Sequence, residues 1–148
     1  MEEREFVPYI DRLIQSYAEE STRAGRWSKE ERLVEARKEI QKLLPNGRES
    51  LDHFVFSIVT GPPDEKVGVI WLAIEPRGGF VYDLQVFEPY RRRGYAERAM
   101  GLLEGIAREK GADRLLLHVF GDNHGARTLY AKLGYLETNV MMAKSLHS

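Results

Sequence analysis

The stretch from Phe80 to Lys110 constrains this chain more than any other. An apolar run, Phe80-Val81-Tyr82-Asp83-Leu84-Gln85-Val86-Phe87, reads as a strand. Glu88-Pro89-Tyr90 then turns the chain, and Arg91-Arg92-Arg93-Gly94-Tyr95-Ala96 opens a helix. A strand-to-helix junction of this kind collects unpaired backbone N–H groups, the positive end of a helix dipole and three guanidinium charges, a combination that binds phosphate oxygens. Gly94 has no Cβ to hold an anion away from the backbone, and Ala96 keeps the next turn low. No Gly-Lys-Ser/Thr follows and no Gly-x-Gly-x-x-Gly occurs, which excludes a Walker loop and disfavours a dinucleotide site. Taken alone, the arginines also fit a solvated helix start.

The rest of the 148-residue chain reads as one domain, residues 1–148. Lys and Arg number 22 against 23 Asp and Glu, and this near-zero balance argues against general nucleic-acid affinity, which needs a basic face rather than one local arginine cluster. No apolar run approaches membrane-spanning length, and Glu2, Glu3 and Arg4 leave no signal-peptide core, so the expected location is the cytoplasm. The absence of cysteine excludes a thiol nucleophile, disulfides and thiolate metal sites, and the four histidines show no metal-ligand spacing.

In chain order, Phe6, Ile10, Leu13, Ile14 and Tyr17 predict a helix from about Glu5 to Glu20, with Pro8 tolerable in its first turn. Ser28 and Glu31 stand in capping-box relation ahead of an apolar stripe from Leu33 to Leu44, which Pro45-Asn46-Gly47 ends. His53 to Thr60 and Val67 to Ile74 predict an antiparallel strand pair around Gly61-Pro62-Pro63-Asp64, and Pro76-Arg77-Gly78-Gly79 turns into the central strand. The helix after Gly94 places Ala96, Ala99, Met100, Leu103, Ile106 and Ala107 on one face and ends at Gly111. Arg114 to Phe120 predicts a strand parallel to the central one, since a helix joins them. A short helix from about Gly125 to Leu133 follows, and Glu137 to Leu146 is expected to pair as a last strand.

An apolar strand followed by Arg-x-x-Gly-x-Ala at Arg91 to Ala96 resembles the coenzyme-binding motif of the GNAT superfamily, the Gcn5-related N-acetyltransferases. A second element is similar too: Leu117-His118-Val119-Phe120-Gly121-Asp122-Asn123, then Ala126, Leu129-Tyr130 and Leu133-Gly134-Tyr135. The resemblance implies an α/β (α+β) fold with a mixed, mostly antiparallel sheet of about six strands, one splayed parallel pair and about four flanking helices. Because the chain enters its first helix almost at once, the first edge strand is expected to be missing or short. The resemblance further implies acetyl-CoA as co-substrate, with no metal. Its pantetheine arm would lie on the backbone of Leu84, Gln85, Val86 and Phe87, with an N–H near Val86 facing the thioester oxygen. Its pyrophosphate would lie on the amides of Arg91, Arg92, Arg93, Gly94, Tyr95 and Ala96.

Asn123 carries two roles under this resemblance, a contact to the pantetheine arm and an N-cap for the short helix. Tyr130 corresponds to the proton donor for the departing thiolate; its phase with Ala126, Leu129 and Leu133 also suits a core position. For the general base, Asp83 is read as facing away from Tyr82 and Leu84, while His118 lies on the adjacent strand, and both stay open. The first two helices, with Tyr17, Trp27 and Glu19-Glu20, and the loops near Trp71 and Gly78-Gly79 would border the acceptor pocket. The expected reaction is direct attack of a small-molecule or peptide amine on acetyl-CoA in a ternary complex, without nucleic acid or membrane, the homodimer remaining open. A non-catalytic acyl-CoA-binding module and a transferase using another acyl donor are the alternatives.

Overall fold

In the computed structural model, which describes residues 1–147, the chain begins directly in α1 (Glu3–Arg23), as the missing edge strand required. α1 buries Phe6, Tyr9, Ile14 and Ala18 along one stripe; full burial of a side chain such as Ile14 stabilises by about 1.5–3 kcal/mol, which anchors the helix to the sheet. Glu2 and Glu5 close a capping box at its start. Pro8 lies in the second turn rather than the first, and the helix runs through it. Ser28 Oγ accepts from the Glu31 N–H at 3.3 Å, one turn ahead of α2 (Arg32–Leu43), which buries Ala36 and Ile40.

Four strands then form one sheet in chain order among the described residues: β1 (His53–Thr60), β2 (Glu65–Glu75), β3 (Gly78–Val86) and β4 (Leu115–Leu117). β1, β2 and β3 pair antiparallel, whereas β4 lies parallel to β3 after the crossover through α3 (Tyr95–Glu109). α4 (His124–Lys132) follows β4. Two cores result. Val69 and Trp71 face α1 and α2 on one side of the sheet, while Ile70, Leu72 and Val81 face Met100, Leu103 and Ala107 of α3 on the other. Adjacent residues of β2 thus serve opposite layers, and the strand is apolar from Val67 to Ile74 because both of its faces are covered there.

Two strand expectations are corrected. The parallel strand covers only Leu115–Leu117, three residues instead of the seven from Arg114 to Phe120. Residues 137–146 form no strand and stay exposed, so the sheet has four strands where six were expected. The chain between Thr138 and His147 holds no glycine or proline to reverse it onto the sheet.

Candidate active site

The site is built on a sheet that opens. β4 pairs with β3 only from Gly79 to Val81, and β3 then runs on to Val86 with β2 as its sole partner. Phe87 N–H donates to the Val67 carbonyl of β2 at 2.8 Å, so the N–H and C=O of Val86 point the other way, into the gap. Arg91 Nε donates to that Val86 carbonyl at 2.8 Å, which leaves the Val86 N–H as a free donor. Leu84 shares the parity of Val86. Gln85 and Phe87 are turned toward β2: a Cβ on Gly68 would lie 2.2 Å from the Gln85 carbonyl oxygen, so only glycine permits this approach. The expected backbone row from Leu84 to Phe87 is therefore two residues, Leu84 and Val86, that face the gap and two that hold the sheet.

A bulge aims the next group. Trp71 lies opposite Asp83 and Leu72 opposite Val81, which leaves Tyr82 without a partner on β2. Simple alternation put Asp83 on the face opposite Tyr82; the extra residue cancels that alternation, and both side chains face α1 and α2. Leu84 packs on the α3 side, opposite Asp83 as expected, and not on the face of Tyr82 with which it was grouped. Asp83 Oδ2 accepts from the Tyr9 hydroxyl at 2.8 Å. Burial pushes the Asp83 carboxyl up to about 6, with the nearby Glu20 charge adding to the rise, while the bonds from Tyr9 and the Leu84 N–H oppose it. Glu20, at the end of α1, is itself raised, by burial first, with Arg23 pulling against it and Asp122 reinforcing it.

Tyr130 of α4 packs against the α3-side core and meets Tyr135 edge-on at 5.7 Å. Burial, then the charge of Asp83, pushes its hydroxyl up to about 12, so it stays protonated at any physiological pH. That hydroxyl bonds to no protein group among the described residues.

At the wide end of the gap, a cavity of about 310 Å³ brings together Val86, Arg91, Arg92, Gly94, Tyr95 and Ala96. Gly94 has φ +81° and Arg92 φ +65°, left-handed conformations that fold the loop around the helix start. The first bond of α3 runs from Arg98 N–H to the Gly94 carbonyl, so the preceding N–H groups keep no acceptor inside the helix. A Cβ on Gly94 would meet nothing within 4 Å, because the position borders open space. Arg93 lies outside this lining and places its guanidinium 6.0 Å from the Tyr90 ring centre. Tyr90 and Glu97 line it too, and Gly125 and Leu129 of α4 complete it; Leu129 stood in the second motif and Gly125 at the expected start of the short helix, but neither was assigned to this site, which took shape only once α4 was docked.

Asn123 caps α4, its Oδ1 accepting from the Ala126 N–H at 3.2 Å, while its Nδ2 donates to no protein group among the described residues. His118 lies one residue beyond the end of β4, not on the strand as expected. It stacks edge-on with Phe120 at 4.9 Å, and burial, with Arg26 nearby, lowers its pKa below 6.5, so the ring is neutral. Tyr17, Trp27 and Phe120 cluster beside it. Tyr17 is tied into α2 by donating to Glu39 at 2.5 Å and accepting from Arg26 at 2.6 Å. Two expected pocket elements are misplaced: Trp71 is buried in the core with its Nε1 donating to His53 Nδ1 at 3.0 Å, and Gly78-Gly79 pack against β4 at the closed end of the gap.

No group of His, Asp or Glu side chains among the described residues could hold a metal ion. Among the described residues no helix is long and apolar enough to cross a membrane.

Comparison with known proteins bears on this geometry. Residues 10–135 match the family model described as the Acetyltransferase (GNAT) family. The chain is 38% identical over 150 residues to the uncharacterized N-acetyltransferase YycN of Bacillus subtilis (strain 168), covering 99% of this chain and 96% of that protein. It is 35% identical to a second uncharacterized N-acetyltransferase of the same organism, YdgE, over 99% of this chain and 95% of the other. The crystal structure of YycN superposes with a TM-score of 0.93 at 37% identity over 100% of this chain and 96% of that one. PaiA N-acetyltransferase from Thermoplasma acidophilum, solved in complex with coenzyme A, shares the fold at a TM-score of 0.57 and 20% identity over 84% of this chain and 82% of that one. An opened parallel pair, an arginine-glycine helix start at its wide end and a protonated tyrosine on the helix that completes the cavity thus occur in a chain that belongs to the acetyltransferase (GNAT) family.

Proposed function

We propose that this protein transfers the acetyl group of acetyl-CoA to a primary amine, a small molecule or a peptide amine, by direct attack in a ternary complex in the cytoplasm. The observation that carries the reading is the free backbone edge at Leu84 and Val86, beside the α3 N-terminus, with Tyr130 packed against the same α3-side core as Leu84. An extended pantetheine arm can add to that edge as a strand does, and the cavity at residues 91–96 suits the pyrophosphate by charge and by free N–H groups. The coenzyme A complex of the fold relative PaiA supports the same ligand class.

Each residue then has a defined task. The Val86 N–H donates to the thioester carbonyl oxygen, and its bond strengthens as that oxygen gains charge. An acceptor that arrives as ammonium first releases one proton to solvent; Asp83, with a carboxyl at about 6, is ionised at neutral pH and takes the second proton, the one the neutral amine gives up as it attacks. The amine lone pair forms the C–N bond, the C–S bond breaks, and Tyr130 gives its proton to the departing sulfur. Solvent returns the proton from Asp83 to Tyr130, which restores the starting state. Glu20 and Asp83 together favour an acceptor that arrives as a cation. His118, neutral and beside Phe120, is the second candidate base. An amine panel with acetyl-CoA, read by release of coenzyme thiol, tests the proposal: sustained release with one amine class supports it. No release from any amine by protein that binds acetyl-CoA would leave a binding module.

A further inference from the structure

The guanidinium of Arg91 touches the open backbone edge of β3 and lines the cavity at the α3 start. β4 stops pairing at Val81, so no strand among the described residues bonds β3 at Leu84 or Val86 on that side. Arg91 Nε, donating to the Val86 carbonyl at 2.8 Å, stands where a strand neighbour would have donated. The same peptide unit is held from the other side, where Phe87 N–H donates to the Val67 carbonyl at 2.8 Å. Its plane is thus fixed between β2 and one arginine. The free Val86 N–H projects from the same residue into the same gap, so its direction depends on that grip.

The stem of this arginine is anchored. Glu88–Tyr90 forms a short helical turn, closed by Tyr90 N–H on the Phe87 carbonyl at 2.9 Å and by Arg91 N–H on the Glu88 carbonyl at 3.3 Å. The Tyr90 hydroxyl bonds to Glu65 and ties the turn to β2. The two terminal nitrogens of Arg91 donate to no protein group among the described residues, and they belong to a side chain that lines the cavity of about 310 Å³. A guanidinium carries its N–H donors in one rigid plane, so anion bonds at the terminal nitrogens and the carbonyl bond at Nε cannot move independently. Arg92 lines the cavity as well, without a side-chain bond to β3, and Arg93 lies outside the lining.

Resting on the acetyl-transfer reading, we propose that Arg91 is a positioning residue that couples the two ends of the coenzyme. Phosphate oxygens at its terminal nitrogens fix the guanidinium, Nε fixes the Val86 carbonyl, and the Val86 N–H is aligned on the thioester oxygen. Binding of the nucleotide end then speeds the step at the acetyl end instead of adding to affinity alone.

Two donors separate this coupling from a simple charge effect. Acetyl-pantetheine has the thioester and the arm but no pyrophosphate. Arg91→Lys keeps the charge but cannot hold phosphate and the Val86 carbonyl through one rigid group. With an amine that the parent acetylates, Arg91→Lys is expected to lower kcat on acetyl-CoA by about 10- to 100-fold while KM changes less than about threefold. Its loss on acetyl-pantetheine should be far smaller. Arg92→Met, by contrast, should act mainly on KM for acetyl-CoA. An effect of Arg91→Lys on KM alone, or an equal kcat loss on both donors, would overturn the coupling: the first is plain charge and the second plain structure.

A second measurement needs no acceptor. In isotope-labelled protein, inorganic pyrophosphate should shift the amide resonances of Gly94 and Tyr95 in the parent and in Arg91→Lys, but move the Val86 amide in the parent only. Gly94 and Tyr95 responding without Val86, or Val86 moving equally in the variant, sinks the coupling and leaves the acetyltransferase reading standing. No response at any of these amides, to pyrophosphate or to coenzyme A, removes the coenzyme site and the coupling with it.

Discussion

The Tyr9 hydroxyl and the Asp83 carboxylate, 74 residues apart in sequence, meet at 2.8 Å. The bond joins α1 to the bulge of β3 and holds a carboxyl where burial raises it to about 6. Tyr9 is fully buried and its own hydroxyl is raised well above 10, so the proton stays on the phenol and the bond keeps its direction.

Asp83 should therefore make the protein less stable as pH rises. The folded carboxyl holds its proton up to about 6 while the unfolded one loses it near 3.8. Between those values the unfolded state binds fewer protons, so this group's contribution is present in full below 3.8 and is lost as pH climbs through 6, a difference of about 3 kcal/mol. Asp83→Asn keeps an acceptor for Tyr9 and removes the charge. Its melting temperature relative to the parent is expected to rise between pH 4 and pH 7, measured by calorimetry at matched ionic strength; a constant difference would show that Asp83 is well solvated. The same variant should lose the acid limb of the kcat profile near pH 6, whereas His118→Gln should retain it. The reverse pattern would make His118 the base.

Tyr130→Phe retains the ring that packs on Tyr135 and removes the proton. It should fold and bind acetyl-CoA normally, and kcat should fall by roughly 10²- to 10⁴-fold, the range for a lost general acid. The lower end is expected because a thiol with pKa of about 8.5 leaves tolerably well without help. Single-turnover kinetics check this, and an unchanged chemical step would reduce Tyr130 to a packing role.

Gly94 combines open space with a φ of +81°, so a side chain there acts twice. Gly94→Ala is expected to cost about 1–2 kcal/mol through left-handed strain alone. It should also weaken coenzyme A binding by more than that loss explains, since the new methyl group enters the anion's approach. A bulkier Gly94→Val disturbs the loop as well as the site and is the less informative variant. Urea unfolding and titration calorimetry on one preparation separate the two effects.

Acetyl-CoA itself should raise the melting temperature. At a hundredfold excess over Kd the native state gains about 2.7 kcal/mol, which for a chain of this size corresponds to roughly 8 °C. No shift at millimolar ligand with folded protein would remove the coenzyme assignment altogether.

Much of the fold could be read from local pattern because its signals are local. The α3 stripe from Ala99 to Ala107 and the turn at Gly61-Pro62-Pro63-Asp64 need only neighbours in sequence, and both stand where expected. The helix start at Gly94 was legible for the same reason. What escaped was set by partners far along the chain. No pattern in β3 announces that Tyr82 is the extra residue, because a bulge is defined by register against β2. The Tyr9–Asp83 pair inherits that blindness. The end segment misled in the opposite sense: residues 137–146 carry a true strand pattern, but a strand needs an edge, and the segment's own chain does not bring one to it.

The single unpaired residue at Tyr82 acts as a change of frame within one strand. Up to Val81 the side chains of β3 count faces in one order, and from Asp83 onward they count in the other. Removing Tyr82 would bring the two counts back into step: Val81 and Asp83 would alternate plainly against Leu72 and Trp71, and Asp83, Leu84 and Val86 would keep the faces they have. What the strand would lose is the Tyr82 ring, 4.5 Å from Phe80 and 4.9 Å from Trp71, together with the local twist that a bulge adds. The bulge is thus the means by which β3 carries one more aromatic side chain on the α1 face while the carboxylate next to it stays turned to Tyr9.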